Sequence, residues 1–301
     1  MSTIDISPKG AKKAIQSLDN LVEKTATLIN ESQTGFLPAK GSMGYIEHEV
    51  SIRPDSTSTA FSQANTLIEA AGDHIFAFGR TLTEPMLSIA PWACARSALE
   101  ACATSMWILD PRIDGRVRIQ RSLAFRHNNL NEQIKIARLE QNLIIEENLN
   151  SRINDVEKVA LSLGFNQVLD KNDKRIGIGM IMPGPTKLIK NVLNEELTYR
   201  ILSGLAHGQS WALQLLSFQL MPVDENIIQK NALPSGVNII ERNLEPSHII
   251  AICQILAKAF SKTVYYASII FGWDTDELVK HVKEHLVEIG IENYELNISS
   301  D

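Results

Sequence analysis

Residues 91–111 read PWACARSALEACATSMWILDP, and this stretch decides the fold class. Pro91 stands at its head, where a first-turn proline loses no helical hydrogen bond, and Asp110-Pro111 closes it. Arg96 and Glu100 are its only charges before Asp110, among Ala93, Ala95, Ala98, Ala101 and Ala103. Side chains this small let neighbouring helices approach closely, so the segment reads as a central, buried helix.

Outward from it, apolar residues recur at helical spacing over residues 9–30, 61–83 and 116–148. Ser151 caps a shorter helix that Gly164 closes. Thr186 opens a helix to residue 193, and Asn194 with two glutamates opens another running to about residue 220. Ser247 caps a helix ending at Gly272, and Asp274 with Glu277 forms a capping box for the last one. Residues 33–58 read as a long loop with an extended piece over 45–52. Residues 224–246 are irregular, with 226–229 and 237–240 able to pair as a hairpin. The expectation is an all-α chain, a single helical domain of about seven to nine helices. Residues 1–60 form a small N-terminal helix-plus-loop appendage and residues 61–301 the main domain.

The 301 residues are 44% hydrophobic and 21% charged, which suffices for a packed core and argues against disorder. A net charge of −6 gives no general attraction to nucleic acid, so RNA binding needs a local site. Cys94, Cys102 and Cys253 form no Cys-x-x-Cys pair, which fits a reducing cytoplasm and leaves no cysteine cage for zinc. Residues 201–223 and 249–273 are charge-poor, but His207 and several amides interrupt the first and Lys258 and Lys262 the second. Neither is an uninterrupted apolar span of about 20 residues, so no membrane partner is expected.

Three motifs are weighed and set aside. Gly179 to Thr186 approaches a phosphate-binding loop, but Pro185 stands in the lysine slot. His281, Glu284 and His285 match an inverted zinc-peptidase signature, yet flanking Lys280, Lys283 and Glu288 suggest a solvated face; no metal or cofactor is expected. Arg112, Arg116, Arg118 and Arg121 crowd a helix start, where Asp110 and Asp114 suggest a solvated, mixed-charge end.

One constellation remains. Arg200, Ser203, His207, Ser210, Gln214 and Ser217 recur every three or four residues and form one polar seam. Beyond Arg200 the seam carries hydroxyls, amides and an imidazole, groups suited to a half-buried cavity or an interface. Arg200 and His207 lie two turns apart, roughly 10 Å along the axis. If the two charge-poor helices pack together, Arg96, Glu100, Arg200 and His207 share a pocket.

The stretch YRILSGLAHG at 199–208, with ARSALE at 95–100 and Trp107 to Pro111, resembles an uncharacterised bacterial all-helical family over residues 35–275. It is also loosely similar to the HEPN superfamily (higher eukaryotes and prokaryotes nucleotide-binding), whose metal-independent ribonucleases carry an Arg-x4-6-His motif on one helix. That resemblance implies RNA as substrate, Arg200 on the scissile phosphate, His207 in proton transfer and a homodimer uniting two motifs. Arg96, Glu100, Arg121, Ser203, Ser210 and Gln214 would support or bind substrate. A permitted spacing, with five residues between, also occurs at Arg121/His127 and Arg242/His248, but only the Arg200 pair shares a helical face. Ile201 departs from the polar residue usual after the arginine, and the six-residue gap is the longest allowed. A second reading stays open: a non-catalytic binding or scaffold protein, with Arg200 paired to Glu196 and His207 a core histidine.

Overall fold

The computed structural model describes residues 5–32, 37–173, 175–222, 238–242, 244–292 and 294–296. Among these, eleven helices and two small sheets form one predominantly helical domain. The helices are α1 (Pro8–Glu31), α2 (Met43–Val50), α3 (Pro54–Thr81), α4 (Ala90–Leu109), α5 (Gly115–Leu139), α6 (Leu143–Ser162), α7 (Pro185–Leu193), α8 (Glu196–Ala206), α9 (Ser210–Leu216), α10 (Pro246–Phe271) and α11 (Thr275–Glu288).

Helix α4 is the centre, as its small residues require. Ala95, Ala98 and Leu99 are sealed, and α3, α7, α8 and α10 all pack on it. Ser105 donates its hydroxyl proton to the Ala64 carbonyl at 3.1 Å, which locks α4 to α3. Helix α1, expected within an appendage, contributes Leu18, Leu21 and Val22 to this same core and lies against α10, α11 and α3. A second, smaller core joins α5 to α6 through Leu130, Ile134, Leu149 and Ile153. Strands β1 (Gln167–Leu169) and β2 (Arg175–Ile178) pair antiparallel beside it.

Four sequence expectations need correcting. The stretch 45–52 is not extended: Ser42 caps α2 by accepting the Tyr45 N–H at 3.2 Å. Gly44 lets α2 lie directly on α10, since a Cβ there would stand 2.7 Å from the Ile270 carbonyl oxygen. The helix expected over 116–148 breaks at Gln141, a left-handed residue with φ 53°. The Gln141 and Asn142 amides turn back to the Arg138 and Ala137 carbonyls, and the Asn142 side chain caps α6. Asn194 does not start α8; with φ 58° it ends α7, its N–H bonded to the Lys190 carbonyl. The expected strand at 226–229 lies outside the described residues; β3 (Phe218–Pro222) pairs with β4 (Asn238–Arg242).

The fourth correction matters most for function. The helix expected from 194 to 220 stops at His207. Gly208 takes φ 66°, its N–H bonding the Leu205 carbonyl at 3.0 Å while Gln209 N–H bonds the Gly204 carbonyl at 2.9 Å. This pair of bonds is a helix-ending motif that glycine enters without Cβ strain. The chain then folds back as α9, and Gly204 makes room, because a Cβ there would meet Trp211 at 2.8 Å.

Candidate functional site

The polar seam therefore lies on a bent corner rather than a straight helix. Arg200 and Ser203 project from α8, His207 is its C-terminal cap residue, and Ser210 and Gln214 belong to α9. Arg200 is 61% exposed and makes a two-pronged contact with Glu196, at 3.0 Å from Nε and 2.8 Å from Nη2. Lys190 reaches the other oxygen of Glu196 at 3.0 Å. Hydrogen bonds from Lys190 and then Arg200 hold the Glu196 carboxyl below the usual carboxylate range. His207, Ser210 and Gln214 are exposed, and Ser203 is half-buried. Trp211, which donates its indole N–H to Gln209 at 2.8 Å, and Leu215 stand half-open beside them.

Arg96 and Glu100 do not join Arg200 and His207. They meet Tyr199, the neighbour of Arg200 that faces inward toward α4. Glu100 accepts the Tyr199 hydroxyl at 2.6 Å and the Arg96 guanidinium at 2.7 Å, with the guanidinium over the tyrosine ring. Burial and then the Glu100 bond push the Tyr199 phenol up to about 12, so it stays a proton donor across the ordinary pH range. Glu100 also borders a cavity of about 350 Å³ between α3, α4, α5 and α7, with His74, Ser97 and Phe125 on its walls. Tyr199 was not singled out from sequence, although a phenol on the buried side of a helix must find a partner.

Arg121 lies elsewhere again, at the far end of α4, within a knot of charges. The knot corrects the expected solvated end. Arg118 is fully buried, gripping Glu47 of α2 at 2.8 and 3.0 Å and donating to the Ile108 and Asp110 carbonyls at 2.6 and 3.3 Å. Arg121 donates to the Trp107 carbonyl at 2.6 Å, and Arg112 clamps Asp110. Burial pushes the Asp110 carboxyl up, but the bonds and charge of Arg112, with Arg121, bring it below its ordinary range. Arg112 lies in the turn before α5 and Arg118 and Arg121 in its first two turns, yet they serve the C-terminus of α4, where open carbonyls and the helix dipole favour cations.

The histidine pair of α11 is also placed differently from expectation. His285 is buried against α1, its Nδ1 3.2 Å from the Ser17 hydroxyl, and its ring packs edge-on to His281 at 4.8 Å. Among the described residues no group of three or more His, Cys, Asp or Glu could hold a metal ion, and no helix is long and apolar enough to cross a membrane. Comparison with protein-family models, with curated proteins and with solved structures gives no match to the chain.

Proposed function

We propose that the chain cleaves RNA from the α8–α9 corner, His207 transferring protons and Arg200 holding the phosphate. The observation that supports this is the openness of His207, an exposed imidazole at a helix end with Arg200 two turns back on the same solvent side. An imidazole titrates near neutrality and suits the removal of a ribose 2′-hydroxyl proton. The 2′-oxygen then attacks phosphorus, the P–O5′ bond breaks, and the 5′-oxygen takes a proton. The products are a 2′,3′-cyclic phosphate and a 5′-hydroxyl. One imidazole that has just accepted a proton from the 2′-oxygen is a competent acid for the 5′-oxygen only if it can reach both. A second His207 from another copy relieves that constraint. Arg200 is held by a surface ion pair of small net worth, which a phosphate dianion or diester can displace.

The rival reading, a non-catalytic binding protein, is favoured by two observations: Arg200 already has Glu196, and the cavity that Glu100 borders between α3, α4, α5 and α7 is lined by neither Arg200 nor His207. Incubating the full chain with mixed-sequence single-stranded RNA in EDTA, and mapping the new ends, separates the two. RNA cleavage predicts cyclic-phosphate ends that disappear with His207→Ala and are strongly reduced with Arg200→Ala. Intact RNA with wild-type protein, or undiminished cutting by His207→Ala, rules it out.

A further inference from the structure

The α8–α9 corner carries two rows side by side, one polar and one apolar. Arg200, Ser203 and His207 form the first, and His207 still follows the helical arc, its N–H bonding the Ser203 carbonyl at 3.1 Å. Gly204 lies beside that row, about 40° around the axis from Arg200 and about 60° from His207, roughly one turn from each. A Cβ on Gly204 would stand 2.8 Å from Cζ2 of Trp211, so the indole is laid against the Arg200–His207 row. The same edge of the ring is anchored a second time, where Nε1–H donates to the Gln209 side-chain oxygen at 2.8 Å. These contacts run along one edge, and 52% of the residue stays open to solvent. Leu197 stands seven residues before Gly204, hence on the same line of α8, and is 73% exposed. Leu215, one turn beyond Trp211 on α9, is 48% exposed and completes the apolar row.

We propose that Trp211 is a stacking shelf for a base of single-stranded RNA whose phosphate lies on Arg200. The proposal rests on the ribonuclease reading for that phosphate. A nucleotide is itself two-sided, an anionic phosphate beside a flat ring, and a guanidinium beside an anchored indole matches both halves. The electrostatic half is weak at this corner. Arg200 and Lys190 both already serve Glu196, and the chain carries a net charge of −6. Attraction to phosphate is therefore modest, and the ring must supply much of the hold. Stacking one base on an aromatic side chain strengthens binding about ten-fold or more. Every base has a π-face, so a shelf of this kind selects by strandedness and not by sequence. In a duplex the bases are stacked on one another and their faces are closed to the shelf, which makes unpaired RNA the substrate class. An apolar protein face is a poorer occupant, because covering Trp211 would also dry the Arg200–Glu196–Lys190 network beside it.

Titrating the full chain with a mixed-sequence, single-stranded 2′-O-methyl RNA octamer tests this, with indole emission and octamer anisotropy followed together. The methylated 2′-oxygen cannot attack, so no cutting intervenes. Stacking is expected to quench the emission of Trp211, while Trp92 and Trp107 are buried and stay silent. Trp211→Phe keeps a ring, so it should lose the quench and still bind within about three-fold of wild type. Trp211→Leu is apolar without a ring and should bind about ten-fold more weakly at an unmoved unfolding midpoint. Should the leucine variant fail to fold, the loss of quench in Trp211→Phe carries the test. The matching duplex should neither quench nor bind as tightly. Emission unmoved by the octamer at about 100 µM overturns the proposal, as does a quench that survives in Trp211→Phe, or a folded Trp211→Leu that binds like wild type. Cutting of ordinary RNA is scored separately. A chain that cuts RNA without the quench loses the shelf alone, whereas one that shows the quench and cuts nothing loses the ribonuclease reading alone.

Discussion

Arg118 and Arg200 each lie on a helix and each meets a glutamate through two nitrogens, but their surroundings are opposite. Arg118 is wholly buried, bound to Glu47 from another helix and to the open end of α4. Arg200 lies 61% exposed beside a carboxylate one turn away on its own helix. The first guanidinium is architecture, since removing either partner strands a charge in the interior. The second is replaceable at little cost, which is what a group that must exchange partners with a ligand requires. The difference teaches that burial and the number of helices joined separate a structural arginine from an available one, where residue type and local spacing alone do not.

The sharpest way to break this contrast is Arg118→Ala. It leaves the largely enclosed Glu47 without its partner and the Ile108 carbonyl without its donor, so urea unfolding should show a loss of about 3–5 kcal/mol. A loss comparable to a surface change would mean the knot is not structural.

Gly208→Ala tests the corner on which the available arginine sits. An alanine forced to φ 66° costs about 1–2 kcal/mol, and hydrogen exchange should show α8 and α9 loosening together. If α8 instead ran on through residue 208, exchange protection there would rise.

The pH dependence is smaller and has a definite sign. Burial, more than any neighbour, lowers His285 and His281 below 6.5; Lys24 adds to this for both, and His285 further lowers His281, while Glu284 raises both and Glu288 raises His285. The folded state therefore takes up protons less readily than the unfolded chain. The contribution of these rings is full above 6.5 and is lost as pH falls below it toward their depressed folded values. Asp19 acts the other way: burial, then Glu23, raises it to about 6, so its cost falls as pH drops from there toward 3.8. In an Asp19→Asn background, stability should decline on acidification below 6.5, and adding His281→Gln and His285→Gln should flatten the decline. No flattening would show that the rings are not the groups that titrate.

Much of this fold was legible beforehand where a residue has one physical use. The small residues of α4 announced a central helix, and Gly164, Gly272 and the Asp274 cap marked ends found in place. What escaped notice were residues acting against type. Gln141 adopts a left-handed conformation that glycine or asparagine normally signals, and α2 forms inside a stretch rich in Gly, Pro and Ser. Gly208 carries the signal of a helix end, but the seam's three- and four-residue spacing continues past it. The seam itself was legible as a row of residues, while its surroundings were not. The Arg200–Glu196 pair follows from spacing alone, whereas the exposure of His207 depends on where α9 folds back. The alliance of Arg96 and Glu100 with Tyr199 depends on which side of α8 faces α4.

The smallest expected effect on stability belongs to the residue with the largest expected effect on activity. His207→Ala should leave the unfolding free energy within about 0.5 kcal/mol of wild type, as for an exposed side chain. The decisive measurement is the RNA cleavage rate and the unfolding midpoint of that variant, taken on one preparation. A rate at least about 100-fold lower with an unmoved midpoint is the predicted result. An unchanged rate, or a rate and midpoint that fall together, would contradict it.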